Sequence, residues 1–230
     1  MGGQILPAVT IENWPGDYGV SGAKLMDKVR GQVEKSGVEI RYEEVISVSV
    51  VVDGGGFVVA TDETQHVCNA VIIAVGTEPR PLNEKQLKEV GERPVSYCAT
   101  CDGALYRDKP VVVIGSGNTA KHEIRYLEGI CSKVYHIHHD DPIPKDAEAV
   151  FVATKRVPAT RFVKNIVELD AEGYVVARED CKTTLCPGVF VAGDCRTKNV
   201  RQLVTAAGDG AMASASALAF LSERKVSKET

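Results

Sequence analysis

No apolar run in these 230 residues approaches the roughly 20 that a membrane helix needs. The opening residues, MGGQILPAVT, carry neither a basic segment nor an apolar one behind it, so no secretory signal is expected and a cytoplasmic setting is. Positive charge is not in excess either. The 27 Lys and Arg face 31 Asp and Glu, a net charge of −4, which argues against a nucleic-acid-binding surface. Internal repeats and low-complexity tracts are missing, which leaves no case for a repeat array. The seven cysteines are odd in number and scattered, so they are not a disulfide framework. With 44% apolar and 25% charged residues, what remains is a globular chain of one large domain or two small ones.

Along the chain, Ser21 is placed to cap a helix over 23–35, with Leu25, Met26, Val29 and Val33 on one face and Gly37 as its stop. Strands rich in Val and Ile follow, with a glycine turn at 53–56. The last of them, Ala70 to Ala74, reads as a strand buried on both faces. A polar stretch with three prolines then reads as a linker with a short helix. Next comes KPVVVIGSGNTAKHEIRYLEGI, a buried strand, a glycine turn and a helix, followed by a second strand up to His138 and a third at AVFVAT. This is the opening β–α–β of a doubly wound fold, cut short. GYVVA and GVFVAGD read as further strands, and 202–222 as an Ala-rich helix.

Three motifs carry chemistry. The first is CATCD: Cys98 and Cys101 two residues apart, with Asp102 behind. A redox-active dithiol needs two thiols close enough to bridge, and an acid that can pass a proton as they open and close suits Asp102. A zinc clamp, with Cys181, Cys186 or Cys195 as further ligands, and an inert pair are the alternatives. The second is GSGNTA, where Gly115, Gly117 and Ala120 have the G-x-G-x-x-A spacing of a dinucleotide loop; a glycine turn without ligand is the plain alternative. The third is GDCRTKNVRQL. Asp194 ends a strand where it can accept from a sugar-like hydroxyl, and a helix N-terminus near Arg201–Leu203 can face negative charge on a ring. An ordinary strand–loop–helix crossover would look the same.

Taken in this order, the three motifs resemble a bacterial low-molecular-weight thioredoxin reductase, over nearly the whole chain. GGQI and IENWPG resemble that family's early flavin-contacting segment, and VIIAVGTEPRPL the segment before its interdomain linker. YCATCDGALYRDKPVVVIGSGNTA resembles its redox motif and nucleotide loop, and GVFVAGDCRTKNVRQLVTAAGDGAMA its C-terminal flavin segment. The resemblance implies an α/β fold of two Rossmann-like, doubly wound domains, both shortened. A FAD-binding-like domain (1–86 and 157–230) would hold an inserted NAD(P)-binding-like domain (87–156) that carries the CxxC. It implies that electrons pass from a nicotinamide nucleotide through FAD to the Cys98–Cys101 disulfide and on to thioredoxin or a thioredoxin-like protein, in a homodimer whose nucleotide domain rotates. Cys101 would face the flavin, Cys98 would attack the partner's disulfide and Asp102 would be the acid/base. Gly3, Gln4, Asn13, Ala74, Gly76, Asp194, Arg201, Gln202 and Leu203 would contact FAD. Gly115, Gly117, Asn118, Thr119 and Ala120 would cradle NADH or NADPH.

The chain departs from the family pattern in three places. About 40 residues that build the FAD pyrophosphate loop have no counterpart ahead of MGGQI, and about 50 are missing between Asp141 and Ala147. His138-His139-Asp140 stands where the family has His-Arg-Arg, which favours NADH, since an acidic residue suits a free ribose hydroxyl and repels a phosphate. A flavin-free remnant acting as a dithiol exchanger or interaction module, and a zinc-stabilised structural protein, are the competing readings.

Overall fold

A computed structural model describes residues 2–6, 8, 10–51, 55–80, 82–138, 141–154 and 156–229, without the side chains at 101, 119 and 226–229. The chain forms two compact units, Met1–Thr77 with Pro158–Thr230, and Glu78–Val157.

In the first unit, Ser21 caps α1 (Gly22–Lys35) by accepting the N–H of Lys24, and Gly37, with φ 75°, turns the chain away after it. Leu25 anchors the helix by packing with Ile11 and Val20. β1 (Val45–Val51), β2 (Gly56–Thr61) and β3 (Gln65–Cys68) form an antiparallel meander with Val48 opposite Val59 and Phe57 opposite Cys68. β4 (Val71–Ile73) is shorter than the sequence suggests and is not buried on both faces: Ile72 is 41% exposed. Among the described residues β4 has a single strand neighbour, which leaves its outer edge bare. The chain leaves the first unit through β5 (Thr77–Pro79).

The second unit starts before the expected crossing at residue 86, because Leu82 and Val90 bury against its sheet. α2 (Glu84–Val90) opens with a capping box: Asn83 accepts from the backbone of Gln86, whose side chain accepts from the backbone of Asn83. β6 (Val95–Ser96), α3 (Ala99–Asp102), β7 (Pro110–Gly115), α4 (Gly117–Glu128), β8 (Lys133–Ile137) and β9 (Ala149–Ala153) follow. The four strands make one parallel sheet in the order β6-β9-β7-β8. Both faces of β7 and β9 are covered. Leu82, Val90 and Ile143 lie on one side; Ala99, Ala120 and Leu127 lie on the other. This is why those strands read as unbroken apolar runs. From Asp141 on, the connection from β8 to β9 is held in place. Ile143 is buried and donates its N–H to Glu89, and the Arg93 guanidinium donates to the carbonyls of Lys145 and Ala147.

The return runs through β10 (Arg156–Pro158), beside β5. The expected strand GYVVA holds isolated bridges instead, Leu169 with Val175 and Ala177 with Thr183. β11 (Val189–Val191) pairs in parallel with β4. α5 (Leu203–Glu229) runs past its expected end at 222. Over Leu203–Lys225 it is long and apolar enough to cross a membrane by length and composition, with a mean hydropathy of 1.2, although no single apolar run in the sequence stands out. The apolar character is largely alanine, and the helix interior carries Asp209, which accepts from the Gly193 N–H, Arg196 and Lys198 and so ties α5 to the turn at Asp194.

Candidate functional site

The CxxC segment lies in the second unit, where β6 turns into α3. Cys98 is the N-cap residue of that short helix, with extended backbone, and it is disulfide-bonded. Cys68, Cys131, Cys181, Cys186 and Cys195 are free, and burial pushes each of these thiols above its ordinary value. The side chain of Cys101 lies outside the described residues. Ser96 organises the segment. Its hydroxyl accepts the Cys98 N–H at 3.1 Å and donates to Asp102 Oδ2 at 2.6 Å. While Cys98 is held in a disulfide, its sulfur is not available as a zinc ligand.

The glycine loop follows in the same unit. A Cβ on Gly115 would lie 2.1 Å from the Ala153 carbonyl oxygen of β9, so close packing of the two strands requires glycine there. Gly117 has φ 76°, and a Cβ on it would meet nothing within 4 Å, so the backbone at the start of α4 is open to a ligand. Asn118 is exposed, Ala120 is buried under the helix, and the side chain of Thr119 lies outside the described residues. His136 puts Nε2 3.0 Å from the Gly115 carbonyl, and its ring lies 5.5 Å from that of His138, tilted by 56°. His139 and Asp140, which carry the NADH expectation, lie outside the described residues.

The expected flavin contacts all fall in the first unit, and several meet across long sequence distances. Gln4, in a tight turn with Gly3, donates to Thr77 at 2.8 Å and passes Gly76, where a Cβ would come 3.8 Å from its Nε2. Asn13 donates to Gln202 at 2.9 Å across 189 residues. Leu203 packs with Ile11, Val20 and Leu25, which fixes the start of α5 beside the N-terminal segment. Arg201 lies 4.0 Å over the ring of Tyr174, and Ala74 is exposed just beyond β4. Asp194 Oδ1 is fully buried with no hydrogen-bond partner among the described residues. An orphaned acceptor of this kind is costly unless a donor arrives, and a ligand hydroxyl is such a donor. Thr77, Ser96, His136 and Tyr174 take part without having been singled out in the sequence. Only Ser96, two residues before a cysteine, had a local cue.

The chain as a whole is similar to known proteins. The family model described as pyridine nucleotide-disulphide oxidoreductase matches residues 1–146 and 140–210. The chain belongs to the pyridine nucleotide-disulphide oxidoreductase family. Relatives of this oxidoreductase include the thioredoxin reductase of Listeria monocytogenes, 32% identical over 99% of this chain and 86% of the relative. Another is the mitochondrial thioredoxin reductase 1 of Arabidopsis thaliana, 34% identical over 96% and 74%. The crystal structure of Lactococcus lactis thioredoxin reductase in its FR conformation superposes with a TM-score of 0.81, at 28% identity, covering 96% of this chain and 88% of that one. The Listeria alignment is 277 positions long but draws on 99% of only 230 residues, so about 49 positions have no residue here. The family match comes in two stretches that overlap at 140–146, between β8 and β9 in the chain.

Proposed function

We propose that this oxidoreductase is a thioredoxin-disulfide reductase, a flavoprotein that passes electrons from a nicotinamide nucleotide to the Cys98–Cys101 disulfide and on to thioredoxin or a thioredoxin-like protein. The observation that carries this reading is the disulfide at Cys98, set directly ahead of an open dinucleotide loop, in a chain whose other unit gathers Gln4, Asn13, Gln202 and an unsatisfied Asp194. The first unit is the flavin-binding domain and the second the nucleotide-binding domain. FAD, when bound, supplies the means of turning hydride chemistry into dithiol chemistry. Asp194 would accept from a hydroxyl of FAD, and Gly3, Gln4, Asn13, Ala74, Gly76, Arg201, Gln202 and Leu203 would be its further contacts. The orphaned oxygen of Asp194 supports this placement. Gly117 lets the backbone approach the nucleotide's pyrophosphate, with Gly115, Asn118, Thr119 and Ala120 completing the loop.

Cys98 attacks the partner's disulfide, Cys101 closes the pair again, and Asp102 moves the proton. Ser96 holds Asp102 and the Cys98 backbone in one arrangement, so that the acid stays tied to the segment while the pair opens and closes. Tyr97 and Leu105, 44% and 72% exposed, flank the segment and give a partner protein an apolar landing. The protein works in the cytoplasm as a homodimer, with NADH favoured over NADPH by Asp140 in place of a phosphate-binding arginine. The deciding experiment is an absorbance spectrum of the purified protein before and after anaerobic addition of each nucleotide. Flavin absorbance that NADH bleaches at lower concentration than NADPH is the expected result. A colourless protein that still reduces thioredoxin after treatment with dithiothreitol would favour the flavin-free exchanger, and tighter NADPH binding would remove the NADH preference.

A further inference from the structure

Glu123 is a half-buried acid of the second unit whose Oε2 is shielded from water and bonded to nothing among the described residues. It stands on α4 three residues after Ala120 and four before Leu127. Both of those are fully buried and pack in one cluster with Ala99, the first residue of α3. Residues three and four apart share a helix face, so Glu123 stands on the face of α4 that carries Ala120 and Leu127, which pack with Ala99 beside Cys98. One turn on, Gly103 lies so near α4 that a Cβ there would come within 2.9 Å of Leu127, 3.0 Å of Ile130 and 3.2 Å of Tyr126. Asp102 already accepts the Ser96 hydroxyl; Glu123 has no such donor. Burial pushes its carboxyl up to about 7, with no charged neighbour contributing. For packing alone, a leucine or a glutamine would serve as well without a titrating group in the interior.

We propose that Glu123 is a charge-compensating residue of the Cys98–Cys101 dithiol, keeping its proton whenever one of those sulfurs is ionised, so that the site does not carry both negative charges at once. The inference rests on Cys98–Cys101 being the redox-active pair. Reduction by dithiothreitol breaks the S–S bond. The reductant supplies two electrons as its own sulfurs close into a ring, and its two protons pass to the cysteines or to solvent. The thiolate that then attacks another disulfide is one proton short, and a neutral Glu123 leaves that charge unopposed by a second one. Above neutral pH an ionised Glu123 works against the thiolate, and the two groups titrate as a pair. Of the other elements packed on α4, β7 and β9 carry no titratable side chain. β8 brings Lys133, Tyr135 and His136, the CxxC side brings Asp102 and Tyr106, and α4 itself carries Lys121, His122, Arg125, Tyr126 and Glu128.

The test is the pH profile of iodoacetamide alkylation at Cys98 in the dithiothreitol-reduced full chain, read residue by residue by mass spectrometry. The wild type is expected to rise in two steps. E123Q is expected to rise in one step at lower pH, with alkylation between the two wild-type steps faster by about tenfold, the change that one pKa unit of coupling makes. E123D, which keeps an acid, restores the two steps. Identical profiles for wild type and a folded E123Q overturn the proposal. Should E123Q not fold, two wild-type steps that persist in D102N support the proposal and a single step overturns it. A Cys98 that dithiothreitol does not free for alkylation overturns the redox reading itself, and this inference with it.

Discussion

A methyl group on Gly115 would sit 2.1 Å from a backbone oxygen of β9, and neither strand has room to retreat inside a sheet covered on both faces. Gly117, two residues on, differs in kind: it has open space but a left-handed φ of 76°. G115A is therefore expected to destabilise the protein through overpacking, at the upper end of about 1–3 kcal/mol. G117A is expected to cost about 1–2 kcal/mol in backbone strain alone. Urea midpoints of the two variants check the order, and a G115A as stable as wild type would contradict the packing. The same scale holds a pH effect. Glu43 accepts from Thr61 at 2.8 Å and from Arg41 at 3.3 Å, and lies 2.7 Å from His66 Nε2. The His66 contact first, and then Thr61, bring its carboxyl from 4.5 to about 2. A carboxyl that is more acidic in the folded state adds stability that is complete above its unfolded pKa and is lost as pH falls from about 4.5 towards 2. Thermal midpoints of wild type and E43Q should accordingly differ at pH 6 and draw together towards pH 2; a constant gap over that range would show that the ion is not the source.

At the scale of elements, α2 depends on its cap more than its length suggests. Seven residues make a marginal helix, and here Asn83 and Gln86 satisfy each other's backbone groups while Gln86 is 99% out of solvent. N83A should lower the stability of the second unit by about 0.5–2 kcal/mol, seen as an earlier urea transition; an unchanged midpoint would mean that packing of Leu82 and Val90 alone holds the helix. Elements of this sort were legible because their causes are local. Ser21 and Gly37 bracket α1 in the sequence, and the apolar run 111–114 leads into a glycine turn as β7 leads into α4. The failures have non-local causes. Ala70 to Ala74 looks like a central strand, yet a strand's burial depends on its neighbours, and among the described residues β4 pairs with β11 alone. GYVVA has strand composition but is held by single bridges to residues on either side of it. The Asn13–Gln202 and Gln4–Thr77 pairs could be expected as family contacts, but nothing local in the sequence shows that these side chains bond to one another. The orphaned carboxyls of Asp194 and Glu123 are likewise invisible before burial is known.

For the whole molecule, the consequence of two units is that a ligand of one need not stabilise the other. Each hydrophobic cluster among the described residues draws its side chains from one unit alone. The chain's one tryptophan, Trp14, packs beside Ile11, Val20 and Leu25 in the first unit, next to Asn13. Its fluorescence therefore reports unfolding of the unit proposed to hold FAD. A ligand that binds only the folded state at a hundred times its Kd adds about 2.7 kcal/mol, so FAD in that excess should raise the Trp14 melting transition by several degrees. On the proposed placement of FAD, Asp194 sets the size of that effect. A hydrogen bond to a charged acceptor contributes about 1.5–3 kcal/mol, and D194A should weaken FAD binding by roughly ten- to a hundredfold and largely abolish the shift at the same FAD concentration. The apo D194A protein should melt no lower than wild type, because an unsatisfied buried carboxyl is a liability until its donor arrives. A D194A protein that FAD stabilises as much as wild type would place the flavin elsewhere, and one that melts much earlier without FAD would make Asp194 a structural residue.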